Sequence, residues 1–438
     1  MAETYDTLWN LMKTWKRVDR PALSFENPDG APLTLSYNDL YEKVCAAAGA
    51  TRHTATPLPF PCNKTPENII DLLANLLAGN DLLMLDEKGD NPGVILDPVP
   101  DLTPAAPGTT FAEGVPEGHT LFFTSGTTSK SKAVILSTRA LLAACKNGQT
   151  LAPCHEGDTI LAILPLSHVF GFICSFLWGL TYGACIALGR SIREIFLDPG
   201  YFKPTIISAV PAMIDVFIRG KCLNPELRLV ILGAAPAKPA IMQALTDMGV
   251  EAHLGYGLTE TASGIALHTD DPDPLAFTPC PGASFTIEED GEISVVTDSC
   301  MDGYLGADSS DVLKNGRLYT GDFGFLDEQG RLHVTGRKKD VIVLPNGTKI
   351  FLPEYESELM AVLQYEDIAV KEADSHIILF VGGPLPDGLS TESVSAAVDS
   401  FNLRKPRDQQ IGNIVYLDNA LPRTATGKVM RYMLHAAL

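Results

Sequence analysis

Residues 121–134, LFFTSGTTSKSKAV, run from an apolar strand into a loop of hydroxyls, glycine and lysine. Thr124, Ser125, Thr127 and Thr128 offer hydroxyl donors, main-chain N–H groups around Gly126 can form an anion nest, and Lys130 and Lys132 add positive charge. The chemistry suits a phosphate, although the spacing is not that of the G-x-x-x-x-G-K-[ST] loop, and a solvated turn is the alternative. GYGLTET (255–261) follows the apolar run EAHL. Its Tyr256 can stack on a base and its Glu260 can ligate Mg²⁺, a hard cation that prefers oxygen; a helix start with Thr259 and Glu260 in the first turn reads equally well. In YTGDFG (319–324), Asp322 can accept two hydroxyls of a ribose, or sit in a tight Gly-Asp turn. GRKKD (336–340) brings Arg337 and Lys339, which a solvated linker would also explain. PRTATGKVMR (422–431) presents Lys428 on an exposed loop that enters a last helix; there it can reach a phosphate as a mobile point charge. His168, in LPLSHVFGF, is a single histidine on an apolar stretch. GADSS (306–310) faintly resembles a phosphopantetheine-attachment site, lacks the following leucine, and reads as a loop.

These residues need a scaffold. Residues 5–18 have the pattern of an amphipathic helix, and a hairpin follows around Asn27-Pro28-Asp29-Gly30. Thr65 and Pro66 open a helix that ends at Gly79. From residue 120 onward apolar strands alternate with helices: strands at 120–124, 133–136 and 158–164, then GACIAL, TIISAV, LRLVILG and EAHLG, with one helix capped by Ser137. Strands apolar on both faces imply a mainly parallel sheet. Beyond Pro281 the alternation becomes two-residue, with turns at Asp290-Gly291 and Gln329-Gly330, which predicts antiparallel β-structure. The chain therefore reads as α/β. A large N-terminal domain (1–336) holds parallel α/β sheets and an antiparallel subdomain from about 281 to 336. A candidate hinge lies at 337–340, and a small α+β domain occupies 341–438.

With 438 residues the chain is long enough for more than one domain. Its formal charge of −20 disfavours nucleic acid as a partner. Nine cysteines without a C-x-x-C spacing fit neither a metal cluster nor a disulfide framework, and suit a reducing cytoplasm. No signal peptide is apparent at the start. Residues 159–189 carry no Asp, Glu, Lys or Arg, but divide into strand, helix and strand, and are expected in the core rather than across a membrane.

In order along the chain, TSGTTSKSKAV, LPLSHVFGF, GAAP, GYGLTET, YTGDFGFLDEQGRLHVTGRKKDVIVLPNG and PRTATGKVMR resemble the successive core motifs of the adenylate-forming superfamily. That superfamily includes acyl- and aryl-CoA synthetases, luciferases and adenylation domains. The likeness covers roughly residues 119 to 438. It departs at Ser129, Ser131 and Ala133, where the family pattern T-S-G-T-T-G-x-P-K-G has Gly, Pro and Gly, while Lys132 keeps its place.

The resemblance implies that Thr124, Ser125, Gly126, Thr127, Thr128 and Lys132 clamp the β- and γ-phosphates of ATP. It implies that Tyr256 stacks on adenine beside the backbone of Ala234 and Ala235, that Asp322 and Arg337 hold the ribose, and that Thr259 meets the α-phosphate. Glu260 would ligate Mg²⁺, Lys428 would bridge carboxylate and α-phosphate, and His168 would line the acyl tunnel. Lys339 would be the pivot of a domain rotation between two half-reactions. The acyl pocket would be formed by Val169, Phe170, Gly171, Gly255, Gly257 and Ala262, whose small or apolar character suggests an apolar acyl group, and the stretch VIVLPNGTKIFLPEYESEL (341–359) resembles fatty-acyl members most, which implies a fatty-acid-like substrate. Coenzyme A is the expected acceptor, a carrier protein acting in trans is the rival, and a non-catalytic nucleotide-binding protein is a third reading. Free α-amino acids are not expected, because LPLSHVFGF has no acid to hold an ammonium group.

Overall fold

A computed structural model describes residues 5–88, 116–124, 132–191, 193–269, 276–344, 347–373, 376–423 and 429–435. The chain divides into two compact units. Of the described residues, the larger comprises those up to 124 and those within 132–320 and 325–334; the smaller comprises those within 321–324 and from 335 onward.

The larger unit is built on two sheets. In the first, strands Glu251–Leu258, Leu229–Leu232, Ile206–Ala209, Thr159–Ala162, Cys185–Leu188 and Pro21–Phe25 run parallel in that spatial order, and Leu33–Ser36 closes the edge antiparallel. The central strands are buried on both faces, which is why they read as unbroken apolar runs. The second sheet has five strands in the order Gly303–Tyr304, Ala133–Leu136, Thr120–Phe123, Leu82–Leu85, Leu58–Pro61.

The charge-free stretch 159–189 is core, as expected. Strand Thr159–Ala162 leads to a helical segment, Val169–Phe172, Ile173–Leu177 and Trp178–Tyr182, and returns as Cys185–Leu188. The middle turn is a π-helix, a widening common near functional sites. Phe172 packs edge-on to Phe122 at 5.3 Å and to Phe176 at 5.4 Å, joining the helix to the second sheet. Among the described residues no helix is long and apolar enough to cross a membrane. All nine cysteines are free thiols.

Several expectations need correction. The first helix spans only Leu8–Lys13. The Thr7 hydroxyl caps it from Asn10 N–H at 3.1 Å, and the Glu117 carboxylate accepts the Leu8 and Trp9 N–H groups at 2.8 and 2.7 Å. The Thr14 hydroxyl donates to Leu11 O at 2.7 Å where the helix stops. A cap contributed from 109 residues away is invisible to a periodicity argument. The antiparallel region expected from about Pro281 starts earlier, at Ser263, because strand Glu251–Leu258 leaves the parallel sheet and turns back on Ser263–Leu267. Among the described residues the terminal helix is replaced by one 3₁₀ turn, Arg431–Met433. The Thr65–Pro66 helix start, the Ser137 cap and the hairpin after Phe25 stand as expected.

The smaller unit has its own core. Helices Leu352–Leu363 and Thr391–Asn402 cover the sheet Ile368–Ala373, His376–Val381, Ile411–Tyr416, and Leu359, Val370, Leu379 and Phe401 are fully buried between them. The hairpin Val341–Val343 with Lys349–Phe351 follows a 3₁₀ turn at Lys338–Asp340.

Candidate functional site

In the larger unit the phosphate-loop candidate has a rigid stem. Strands Thr120–Phe123 and Ala133–Leu136 pair antiparallel with Phe123 opposite Ala133. Thr124 N–H donates to Lys132 O at 2.9 Å, and Lys132 N–H donates to Thr124 Oγ1 at 3.1 Å. The two ends of the loop are thus locked together. Ser125, Gly126, Thr127 and Thr128 lie outside the described residues, as do Ser129 and Ser131.

Strand Glu251–Leu258 supplies the second element. It pairs with Leu229–Leu232 as far as Leu254, then with Ser263–Leu267, and the register shifts between Tyr256 and Gly257. Tyr256 therefore lies on the strand rather than beyond it, at the bulge where the parallel sheet ends. Its ring is tilted against Phe277 and Phe285 at 5.9 and 6.5 Å. Strand ends of an open α/β sheet are where ligands bind. Thr259 and Glu260 occupy a 3₁₀ turn, Thr259–Thr261, not a helix start. The Thr261 hydroxyl fixes the turn, accepting from Leu258 N–H at 3.0 Å and donating to Ser263 O at 2.9 Å. A neighbouring strand end carries Ala234, exposed and left-handed at φ +64°, and exposed Ala235.

The acyl-pocket candidates divide by environment. Val169 and Ala262 are buried, while Phe170 is half-buried with its ring against Gly233, where a Cβ would come within 2.9 Å of Cζ. Gly171 and Gly257 are glycine for a backbone reason: a Cβ there would lie 2.3 Å from Pro165 O and 2.0 Å from Ser263 O. Gly255 has ordinary clearance, 3.5 Å from Leu232 O and from Leu267 Cδ2. His168 caps the helical segment, accepting Phe172 N–H at 2.9 Å through its carbonyl. Its ring reaches the surface, yet desolvation by the surrounding protein lowers its pKa from the ordinary histidine value, opposed by Asp86.

Sequence reasoning missed Tyr304. It is 9% exposed. Its hydroxyl donates to Glu260 Oε1 at 2.8 Å, and the Lys132 ammonium sits 4.4 Å from its ring centroid. Two expected phosphate-site residues, from the loop and from the GYGLTET turn, are thus drawn to one side chain. The aromatic residue next to the set-aside GADSS loop was the available signal. Among the described residues no three His, Cys, Asp or Glu side chains cluster as a metal site. A cation here would depend on one carboxylate plus oxygens brought by its ligand, an arrangement Mg²⁺ uses with phosphates, and Glu260 fits it.

In the smaller unit, Asp322 is buried within strand Arg317–Leu326 rather than in a tight turn, and Arg337 Nε lies 3.1 Å from its Oδ1. The two expected ribose ligands are therefore brought together. Lys339 is exposed in the Lys338–Asp340 turn. Lys428 lies outside the described residues, but both flanks of its loop are anchored. An isolated bridge joins Arg423 to Val429, and Met430 N–H donates to Pro422 O at 2.8 Å. Arg423 pairs with Asp367 at 2.8 Å, and Arg431 forks onto Glu356 at 2.8 and 2.6 Å.

Comparison with known proteins adds independent findings. The family model described as AMP-binding enzyme matches residues 99–305. A 2-succinylbenzoate–CoA ligase of Bacillus velezensis is 30% identical over 342 residues, covering 72% of this chain and 68% of that protein. The enzyme of the same name from Bacillus subtilis is 29% identical over 350 residues, covering 73% and 68%. The solved o-succinylbenzoate CoA synthetase from Bacillus subtilis, in complex with the acyl-adenylate intermediate OSB-AMP, superposes with a TM-score of 0.75 at 22% identity over 98% of both chains. An anthranilate CoA ligase in complex with anthranoyl-AMP gives 0.70 at 17% identity, covering 98% of this chain and 96% of the other. The mixed α/β fold expected from the sequence is the fold of these structures.

Proposed function

The chain belongs to the AMP-binding, adenylate-forming enzyme family, and from that premise we propose that it joins an aryl carboxylate to coenzyme A through an acyl-adenylate. It is an AMP-forming carboxylate–CoA ligase. The relatives are named for an aromatic acid, 2-succinylbenzoate, and lend no support to a fatty-acid-like substrate or to a carrier-protein acceptor. An aryl acid of that kind is the substrate class proposed here.

The observation that carries the reading is the meeting of Lys132 and Glu260 on Tyr304, beside a loop stem locked by Thr124. In the first half-reaction a carboxylate oxygen bonds to the α-phosphorus of ATP, the bond to the bridging oxygen breaks, and pyrophosphate leaves. Two anions must approach in line, so catalysis is positioning plus stabilisation of phosphoryl charge. Magnesium, when bound, neutralises charge on the phosphate oxygens, and Glu260 is the residue that would hold it. Lys132 and the loop residues Thr124, Ser125, Gly126, Thr127 and Thr128 take the departing phosphates. Tyr256 stacks on adenine beside Ala234 and Ala235, Asp322 and Arg337 take the ribose, and Thr259 and Lys428 take the α-phosphate. His168, held toward its neutral form, orients the acid without binding it as a cation.

In the second half-reaction the sulfur of coenzyme A attacks the acyl carbon, the thiol proton is lost, and AMP leaves. Lys428 then has no anion pair to bridge, and rotation of the smaller unit about Lys339 would withdraw it. The test is pyrophosphate release across a panel of aryl, dicarboxylic and fatty acids, with and without coenzyme A. Release with a 2-succinylbenzoate-like acid and thioester formation on adding coenzyme A is the expected result. Adenylate without thioester would favour a carrier acceptor, and no release with any acid would sink the ligase reading.

A further inference from the structure

Residues 301–305, Met-Asp-Gly-Tyr-Leu, lie outside the motifs that carry the family likeness. They nevertheless connect the two phosphate-handling elements of the larger unit. Strand Gly303–Tyr304 pairs with the outgoing arm of the loop stem, Gly303 opposite Ile135 and Tyr304 opposite Val134. Leu305 N–H donates to Ala133 O at 2.9 Å, and Asp302 N–H donates to Ile135 O at 3.0 Å. At its other end the segment grips the Glu260 turn, where Met301 N–H donates to the Glu260 carbonyl at 2.9 Å. Main-chain bonds thus staple the loop stem to the turn.

The Tyr304 side chain repeats the connection with charged groups. Its ring face lies under the Lys132 ammonium, 4.4 Å from the centroid, and its hydroxyl donates to Glu260 Oε1 at 2.8 Å. A phenol is a hydrogen-bond donor near neutral pH, and this one is aimed at a carboxylate oxygen that can only accept. With Oε1 committed to Tyr304, Oε2 is the oxygen left to ligate a cation. An ammonium over an aromatic face is held without neutralising its charge, so Lys132 stays available to a phosphate.

We propose that Tyr304 is a positioning residue that sets Glu260 and Lys132 at a fixed separation, one for the metal and the other for the phosphates of the same nucleotide. The proposal rests on the ligase reading and adds to it a residue that touches neither substrate nor metal. Its two contacts can be removed separately. Tyr304→Phe keeps the ring under Lys132 and releases Glu260; Tyr304→Leu releases both.

The test measures binding in full-length protein, without turnover. Mn²⁺, followed by its paramagnetic signal, replaces Mg²⁺, and α,β-methylene-ATP serves as a nucleotide that cannot form an adenylate. Tyr304→Phe is expected to weaken Mn²⁺ in the protein–nucleotide complex about tenfold, the scale of one hydrogen bond to a charged group. Metal-free nucleotide should bind that variant within about twofold of wild type, because Lys132 is undisturbed. Tyr304→Leu should in addition weaken metal-free nucleotide about threefold or more. Equal or tighter Mn²⁺ binding in Tyr304→Phe overturns the proposal. So does an equal loss with and without metal, which would mark a general structural role. A wild-type protein that binds neither metal nor nucleotide overturns the ligase reading itself, and the positioning role falls with it. Thermal unfolding of Tyr304→Phe within a few degrees of wild type verifies that the comparison is between folded proteins.

Discussion

Replacing Arg431 by methionine should loosen the smaller unit and slow adenylate formation without weakening ATP. Arg431 sits three residues after Lys428, and its guanidinium is the main anchor of that side of the loop. Nη2 donates to both oxygens of Glu356 at 2.8 and 2.6 Å, Nε donates to Val370 O at 3.3 Å, and Nη1 lies 3.6 Å from Asp340. Glu356 is 7% exposed and its Oε1 also accepts Val370 N–H at 2.6 Å. Methionine would leave that carboxylate buried with one main-chain donor. Removing one partner of a buried pair costs about 3–5 kcal/mol, and the partial exposure of Arg431 places this case near the lower end, about 3 kcal/mol. The assay needs a probe confined to the smaller unit. Trp9, Trp15 and Trp178 all belong to the larger unit, so tryptophan fluorescence would miss the change. Hydrogen exchange of strands Ile368–Ala373 and His376–Val381 sees it directly, and 3 kcal/mol corresponds to about a hundredfold loss of protection. Adding Glu356→Gln removes the stranded charge and should recover about 2 kcal/mol, a coupling within the range for contacting residues. In the adenylation half-reaction kcat should fall with KM for ATP within about twofold, because the lost positioning concerns Lys428. Unchanged protection in Arg431→Met, or a double variant whose losses simply add, would refute the anchor.

Gly257→Ala should cost at least about a hundredfold in kcat/KM, since a Cβ 2.0 Å from Ser263 O forces the strand bearing Tyr256 to move; Gly148→Ala, with nothing within 4 Å, is the control, and equal activity of both would refute the reasoning. Lys428→Ala should slow adenylation by about 10²–10³, the scale of one lost transition-state donor. Lys339→Pro should instead spare adenylation and impair thioester formation, and full thioesterification by that variant would remove the hinge assignment. His119, whose pKa is raised chiefly by its hydrogen bond to Asp81 at 2.8 Å, contributes stability that is complete below the unfolded histidine pKa and disappears as pH rises through the raised folded value. The melting temperature of wild type should therefore exceed that of His119→Gln at mildly acidic pH and converge on it in alkali; a constant difference would show that the pair does not titrate as stated. Both side chains are partly exposed, so the effect is about 1 kcal/mol at most.

What could be read from the sequence was set by local rules. The parallel strands were legible because both faces are buried, and the helix starts at Thr65 and Ser137 because a capping hydroxyl is a local signal. The first helix was overextended because its ends are marked by side-chain bonds that periodicity does not show, from Thr7 and Glu117 at the start and Thr14 at the stop. Asp322 and Arg337 were named as a pair, but the burial that makes Asp322 strand rather than turn comes from tertiary packing. Tyr304 was missed for a related reason. A tyrosine in a loop-rich stretch says nothing until pairing with Val134 and Ile135 places it over Lys132.

The backbone at the strand ends shows what side-chain motifs leave out. Among the described residues, eight besides glycine adopt left-handed φ. Lys203, Lys221 and Gln364 cap helices, Asn315 adjoins Gly316 at a hairpin turn, and Arg17 follows the first helix. The other three are Ala234, Ala262 and Ser263, at φ +64°, +49° and +96°, where strands Leu229–Leu232 and Glu251–Leu258 run out. Each costs about 1 kcal/mol or more relative to an ordinary conformation. The Ala262 and Ser263 conformations are held by Ala262 N–H on Thr259 O at 3.1 Å and by the Thr261 hydroxyl on Ser263 O at 2.9 Å. No sequence rule assigns a left-handed backbone to two consecutive non-glycine residues. The fold imposes it, and the result is a reversal tight enough to return the chain at once as Ser263–Leu267. The Glu260 turn therefore owes its geometry to strain distributed along the main chain, with Tyr304 and Met301 fastening it from outside. A carboxylate mounted on such a turn has little freedom left, which is the condition a metal site built on one protein ligand requires.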